Sequence, residues 1–142
     1  MRDYGESCPN IENLVAFFKK DPDVITVYIF GSFGTTAQTP LSDLDLAVLF
    51  AKEVSLMEEL HYTAEVSAIM QMEKVDLINL NTTFVQLQHE VLYRGEIIFE
   101  RAPGQTQDFV ENVLEIYHDY EFILKKYRED FHQGLMEDYL NG

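Results

Sequence analysis

The stretch that most constrains this 142-residue chain is 24–50, where two apolar runs are separated by a glycine turn and a pair of aspartates. The first run, 24–30, is β-branched and aromatic and contains no charge, which predicts a strand buried on both faces. Gly31-Ser32 ends this strand, and after ten intervening residues Asp43 opens a second apolar run, DLDLAVLF. The pattern predicts strand, turn, polar connection and strand.

Two carboxylates share one face at the start of the second strand. Side chains alternate along a strand, so Asp43 and Asp45 point the same way and repel each other unless a cation lies between them. Mg²⁺ binds one or two protein carboxylates together with substrate phosphates and water. Gly31 lets the backbone approach a phosphate closely, and Ser32 adds a hydroxyl and an N–H. These residues favour metal-assisted phosphoryl or nucleotidyl transfer over a solvated strand end.

A third acid lies on the next predicted strand, 74–80 (KVDLINL). Ser55, with Glu58 three residues later, predicts a capped helix between the second and third strands. Such a crossover makes those two strands parallel, whereas the first and second are expected to be antiparallel neighbours. Asp76 then lies near the start of its strand, as Asp45 does, and the three carboxylates converge. The alternative for Asp76 is a solvated strand end.

The flanking segments complete a small mixed sheet backed by helices. An apolar face at three- and four-residue spacing predicts a helix before residue 20, and Pro22 breaks it. A further helix is expected over 83–93, capped by Asn81 and Thr82, and a short edge strand over 97–99. Arg94 could reach a triphosphate, but a surface charge at a helix end is the favoured interpretation. The segment 102–104 marks a boundary between a core, 1–102, and a C-terminal extension, 103–142.

The extension predicts a helix of about thirty residues from Thr106, which at 1.5 Å per residue would be about 45 Å long. That is more than one small domain can cover. Either the helix bends near Gly134, or something else covers part of its aromatic stripe. The first half of the stripe is expected to pack on the sheet. The second half, 120–139, is a candidate protein interface, because aromatic residues are enriched in interface cores; the alternative is that it folds back to finish the core.

Composition narrows the classes of partner. The net charge is −15, with 25 acidic and 10 basic residues, which argues against a protein whose main role is to grip nucleic acid. It suits a basic protein or a cationic small substrate, or serves solubility alone. The single cysteine, Cys8, excludes an internal disulfide and suits a reducing cytoplasm. No apolar run approaches the ~20 residues of a membrane span, and no signal peptide is expected.

The chain has Gly31-Ser32, then ten residues, and then an Asp-x-Asp motif formed by Asp43 and Asp45. This pattern resembles the signature of the DNA polymerase β-type nucleotidyltransferase superfamily. The chain as a whole resembles its minimal members, the MNT antitoxins of HEPN/MNT toxin–antitoxin pairs. The resemblance is good over residues 11–100. Beyond residue 100 the chain shares with this family only its helical pattern. It implies an α/β nucleotidyltransferase core with a small mixed sheet flanked by helices and a long C-terminal helix.

The resemblance also implies a reaction. ATP would bind with its phosphates against Gly31 and Ser32. Asp43 and Asp45 would hold two Mg²⁺ ions, and Asp76 would complete the site of the ion that activates the attacking hydroxyl, or take its proton. The implied acceptor is a tyrosine hydroxyl of a HEPN ribonuclease toxin, which would receive AMP and lose activity. The HEPN family's Arg-x4-6-His motif is missing, so the chain resembles the modifying partner.

Two other functions remain open on the sequence. One is a small-molecule nucleotidyltransferase of the aminoglycoside-modifying type, whose substrates an acidic surface would attract, although those enzymes usually carry a larger second domain. The other is an antitoxin that acts by binding alone, which would not need all three carboxylates.

Overall fold

The computed structural model describes residues 2–5, 8–38 and 43–141, with the side chains described up to residue 136. The connection predicted to hold a short helical turn is described only up to Gln38, and the rest of it, 39–42, lies outside the described residues. The elements in chain order are α1 (Cys8–Lys19), β1 (Val24–Phe30), β2 (Leu44–Phe50), α2 (Leu56–Met70), β3 (Val75–Asn79), α3 (Val85–Arg94), β4 (Glu96–Glu100) and α4 (Pro103–Asn141).

The four strands form one mixed sheet in the order β3-β2-β1-β4. β1 is antiparallel to β2 and to β4, and β2 is parallel to β3. The predicted strand directions are therefore confirmed, and so is the edge position of β4. The parallel pair follows from the crossover through α2, since a chain that returns through a helix re-enters the sheet in the same direction.

Helices cover both faces of the sheet, and alternation along β2 assigns each side chain to one of them. Leu44, Leu46 and Val48 join the cluster that contains the buried residues of α1 and α2. Ala47 and Leu49 join the second cluster, with α3 and the start of α4. Asp45 lies between Leu44 and Leu46, so it points to the second face. The fold thus directs this carboxylate to the same side as α3.

The N-terminal ends of α2 and α3 test the capping predictions. Ser55 caps α2 as expected, because its side chain accepts a hydrogen bond of 3.2 Å from the Glu58 N–H. The predicted cap of α3 is wrong: the N-cap is Phe84, which makes no side-chain capping bond. Asn81 instead exchanges hydrogen bonds of 2.8 and 2.9 Å with the backbone of Phe50. Its amide can satisfy both backbone groups at the end of β2, which a helix cap would leave unpaired.

α4 is one continuous helix of 39 residues, about 58 Å long at 1.5 Å per residue. It continues through Gly134, so the alternative that the chain folds back there to finish the core is wrong. Its first turns pack on the sheet, where Thr106 and Thr26 share a buried hydrogen bond of 2.6 Å. Its middle packs on α3 instead, where the Tyr117 ring stacks on His89 with centroids 3.7 Å apart. Beyond Leu124 the same helix face is exposed at Tyr127, Phe131 and Leu135. No helix within the described part of the chain is long and apolar enough to cross a membrane.

Candidate active site

Two of the three predicted carboxylates lie opposite each other at one edge of the sheet. Asp45 pairs in register with Asp76 across the parallel strands β2 and β3. Directly opposed side chains on neighbouring strands project from the same face. Asp43 precedes β2 by one residue and lies close enough to act on the Asp45 carboxylate electrostatically. The structure therefore brings together the three acids that the sequence pattern selected.

The glycine turn lies against this cluster. Phe30, the last residue of β1, pairs with Asp45, so Gly31 follows directly beside it. Gly31 has a φ of +75°, and a Cβ placed there would overlap the Asp45 carboxylate oxygen. The positive φ favours glycine, and any side chain here would also push the Asp45 carboxylate out of its present position. The sequence alone indicates only that Gly31 lets a phosphate approach the backbone closely.

The electrostatics of the cluster are unfavourable without a counter-charge. The pKa of Asp45 rises to about 6, because the carboxyl is partly buried and because Asp76 and Asp43 repel its negative charge. A hydrogen bond to Asp76 adds to the increase by favouring the protonated form of Asp45. At pH 7 the edge holds more negative charge than it can neutralise from within.

The chemistry of these donors fits a hard divalent cation. Carboxylate oxygens are the ligands that Mg²⁺ prefers, and a cation between them would relieve the repulsion that raises the Asp45 pKa. Within the described residues, however, no three His, Cys, Asp or Glu side chains already form a ready-made ligand set. The three acids are neighbours, and their side chains would have to turn toward one point to share an ion.

The turn itself is closed by short local hydrogen bonds. Thr35 donates from its N–H and from its hydroxyl to the Ser32 carbonyl, at 3.0 and 2.6 Å. Gly34 donates its N–H to the Gln38 side-chain carbonyl at 2.6 Å. These bonds hold 31–38 as a compact loop beside the carboxylates. Ser32, the predicted phosphate ligand, is half-buried in this loop.

Sequence reasoning missed Arg2. Its guanidinium donates hydrogen bonds to the carbonyls of Gly31 and Phe33, at 2.8 and 2.6 Å, from the far side of the turn. The side chain is only 8% exposed. No sequence signal connects an arginine near the start of the chain to a turn 29 residues later, because tertiary packing alone brings them together.

Arg94 lies on the other side of Arg2 from the turn. Its side chain is 69% exposed and forms an ion pair of 2.8 Å with Glu90, four residues earlier in α3. It ends α3. This is the surface position favoured for it from the sequence. Only its backbone carbonyl contacts Arg2, at 3.4 Å.

A small mixed sheet with grouped carboxylates at one edge and a glycine turn at the adjoining strand end defines the class of nucleotidyltransferase cores. The family model for polymerase beta nucleotidyltransferases matches residues 12–104, well over half of the chain. The chain belongs to this family. No curated protein matches its sequence.

Solved structures give the same fold. One chain of a MntA–HepT toxin–antitoxin crystal structure matches with a TM-score of 0.70 and 18% identity, covering 87% of this chain and 97% of that one. A Shewanella oneidensis complex of a tri-AMPylated HEPN toxin with an MNT antitoxin matches with a TM-score of 0.71, 18% identity and the same coverage. A toxin–antitoxin structure with AMP-PNP matches with a TM-score of 0.71 and 20% identity, over 86% of this chain and 95% of that one.

Proposed function

We propose that this protein is an antitoxin nucleotidyltransferase, which transfers AMP from ATP to a tyrosine hydroxyl of a HEPN ribonuclease toxin and so neutralises it in the cytoplasm. The observation that carries the catalytic part is the register that sets Asp45 opposite Asp76, with Gly31 against Asp45. The toxin–antitoxin part is supported by the likeness to solved structures that contain an AMPylated HEPN toxin and AMP-PNP.

Each residue of the cluster has a proposed role. Asp43 and Asp45 would hold two magnesium ions, and Asp76 would complete one of the two sites. When bound, these ions would offset the charge of the triphosphate and lower the pKa of the attacking hydroxyl. Gly31 and Ser32 would receive the β- and γ-phosphates through backbone N–H groups and the Ser32 hydroxyl.

The reaction balances as an in-line displacement. The tyrosine oxygen forms a bond to the α-phosphorus as the bond from that phosphorus to the β-phosphate oxygen breaks. Pyrophosphate leaves, and the phenolic proton passes to Asp76 or to water beside it. Asp76 suits this role because its side chain is exposed at the sheet edge, where an acceptor from another protein can reach it.

The acceptor protein would also need a surface to bind, and we propose the overhang of α4, residues 125–141, for it. Its apolar side chains Tyr127, Phe131 and Leu135 continue the helix face that packs on the domain up to Leu124. Over residues 125–141 the sequence has four acids and three bases, a net charge of −1. Apolar contact would therefore provide most of the affinity there, since the local charges nearly cancel.

Mass spectrometry of the co-expressed partner tests the proposal. The partner is the HEPN-type protein expected to be encoded beside this gene. Wild-type protein should add one or more AMP units, each about 329 Da, to a partner tyrosine, and Asp43→Ala should add none. Asp108→Ala, which removes an exposed acid from α4, is the matched control and should leave the modification unchanged.

An unmodified toxin that is nevertheless neutralised would favour an antitoxin that acts by binding alone. AMP found on a small molecule, with none on the partner, would favour the aminoglycoside-type activity. Modification that persists at the wild-type level in Asp43→Ala would overturn the assignment of the cluster.

A further inference from the structure

We infer that Arg2 is a positioning residue for the nucleotide, whose guanidinium fork holds the 31–34 turn in the conformation that receives the phosphates. The inference rests on the proposed function and extends it to a residue outside the family's match to residues 12–104. Arg2 would not touch ATP. It would act through the turn, by fixing the direction of the turn's peptide groups.

The contacts of Arg2 converge on carbonyl oxygens. Its guanidinium donates to Gly31 at 2.8 Å, to Phe33 at 2.6 Å and to Arg94 at 3.4 Å. The one carboxylate beside it, Glu96, lies 4.0 Å away, at the limit of an ion pair. A charged side chain that is only 8% exposed is costly to desolvate unless its donors are satisfied, and here backbone carbonyls accept from them.

Fixing the Gly31 carbonyl also fixes the N–H group of the same peptide, that of Ser32. The C=O and N–H of a trans peptide point in opposite directions, and every described peptide is trans. When Arg2 holds the Gly31 carbonyl on its own side, the N–H of Ser32 must point to the opposite side. Carbonyl oxygens would repel a phosphate and N–H groups attract one. Arg2 therefore selects the orientation of the turn that suits an anion.

The two residues after Arg2, Asp3 and Tyr4, also contact the 31–34 turn. The Asp3 N–H donates to the Gly34 carbonyl at 2.7 Å, and the Tyr4 ring stacks on Phe33 with centroids 6.1 Å apart. Gly34 has a φ of +76°, and a Cβ there would lie only 2.9 Å from the Tyr4 ring. Residues 2–4 thus lie directly against 31–34, and the turn's glycine makes room for them.

Lysine cannot replace arginine in this geometry. A planar guanidinium reaches two or three acceptors in fixed directions, whereas an ammonium is a point charge on a flexible stem. Arg2→Lys keeps the charge and removes the fork, and Arg2→Gln removes both. Arg94→Gln is the matched control, because it removes an equal charge from the residue whose carbonyl Arg2 contacts, while its own side chain is exposed.

The test measures magnesium–AMP-PNP affinity by calorimetry and transfer kinetics with the co-expressed partner, using a chain tagged at its C-terminus. Losing the hydrogen bonds of one charged group is expected to raise Kd and the KM for ATP about tenfold in both Arg2 variants. The value of kcat should stay within about twofold, because the turn binds ground state and transition state alike. Arg94→Gln should stay within about twofold throughout.

Amide hydrogen exchange at 31–35 provides a readout that does not depend on activity. Faster exchange in Arg2→Lys than in Arg94→Gln, at unchanged melting temperature, would support the positioning role even if Arg2→Gln fails to fold. Wild-type affinity and exchange in Arg2→Lys would overturn it, as would an equal loss in Arg94→Gln. A wild-type protein that binds no AMP-PNP would refute the proposed function, and hydrogen exchange would still decide the role of Arg2 in the turn.

Discussion

Two regions depart from the usual burial pattern in opposite directions. One is the carboxylate edge, formed by Asp43, Asp45 and Asp76, and the other is the α4 overhang, residues 125–141. At the edge, Asp45 is partly buried beside two other acids, and its pKa is raised to about 6. In the overhang, aromatic side chains meet water: Tyr127 is 66% exposed and Phe131 59%. Both arrangements cost the isolated protein free energy, so each indicates something missing from the isolated chain.

The two regions differ in the kind of ligand that would relieve them. Carboxylates crowded at a strand edge need positive charge within a few ångströms, which an ion and its bound phosphates supply. An apolar stripe on a helix needs a complementary surface, which only a macromolecule supplies. A crowded cluster of acids therefore indicates a site that binds ions and reacts, whereas an uncovered apolar face indicates a binding surface for another macromolecule.

After the complete loss expected in Asp43→Ala, the largest expected effect is at Asp76. Asp76→Ala should lower kcat about 100-fold, the usual scale for losing a general base, while the Kd for magnesium–AMP-PNP changes less than about threefold. The reason is its position at the exposed sheet edge, where the acceptor hydroxyl would arrive. Single-turnover transfer and calorimetry measure the two quantities separately. Glu73→Ala, an exposed acid three residues earlier, is the control and should match wild type.

If Asp76→Ala instead bound the nucleotide weakly but turned over normally at saturating ATP, the placement of Asp76 beside the acceptor hydroxyl would be contradicted. Asp76 would then belong to the nucleotide's side of the site, and the acceptor's base would have to be sought elsewhere.

Truncation after Lys126 should weaken the partner complex at least tenfold and leave ATP binding intact. The part of α4 before Lys126 already makes the contacts with the sheet and with α3, and the candidate site residues all precede residue 77. Because the removed side chains up to residue 136 are exposed, the melting temperature of the isolated protein should stay within about 2 °C of the full-length value, on the scale of a surface change. Biolayer interferometry with the partner and a thermal melt measure both.

Point variants sharpen the same comparison. Tyr127→Ser with Phe131→Ser should reproduce the loss of affinity. Phe122→Ser should not, since Phe122 is equally exposed, at 69%, but projects from the other side of the helix. A truncated chain that unfolds or aggregates would assign the segment to the core and refute the interface.

The smallest expected effect is the pH dependence of stability in metal-free buffer. The pKa of Asp45 is raised to about 6 from an ordinary value near 3.8, so the folded state favours its protonated form. This contribution to stability is fully present below about pH 4 and is lost as the pH rises through about 6. Asp45→Asn should therefore melt like wild type at pH 4 and a few degrees higher at pH 7 to 8.

Thermal melts across that range, with and without magnesium, measure this difference. Magnesium should raise the melting temperature of wild type and not of Asp45→Asn. A difference between the two proteins that does not change with pH would show that packing, rather than charge, separates them.

Short-range patterns predicted most of the fold. The apolar run in β1, the Ser55 cap and the crossover through α2 gave the correct strand directions, because each depends on neighbours in sequence. The cap of α3 was predicted wrongly for the converse reason. Asn81 has good capping chemistry, but its side chain reaches the backbone of Phe50, 31 residues away, and the tertiary contact prevails.

In the candidate site, too, local patterns predicted some residues, whereas others depend on tertiary contacts. Spacing along β2 and β3 was enough to select Asp43, Asp45 and Asp76, because strand alternation and a parallel crossover determine which side chains share a face. The overlap of a Gly31 Cβ with Asp45 could not be predicted, since it depends on the turn's exact path. Arg2 could not be found either, because a single arginine has no periodicity to reveal it.

Amino-acid order alone therefore determined the strands, the acids and the long helix of this protein, since alternation and helical spacing are local properties of the chain. Tertiary structure decided that α4 continues as one helix through Gly134 and leaves its stripe exposed, because a helix ends only where packing or a breaker stops it. It also decided that Arg2 lies behind the glycine turn, because hydrogen bonds between distant residues form only after the sheet has brought their backbones together.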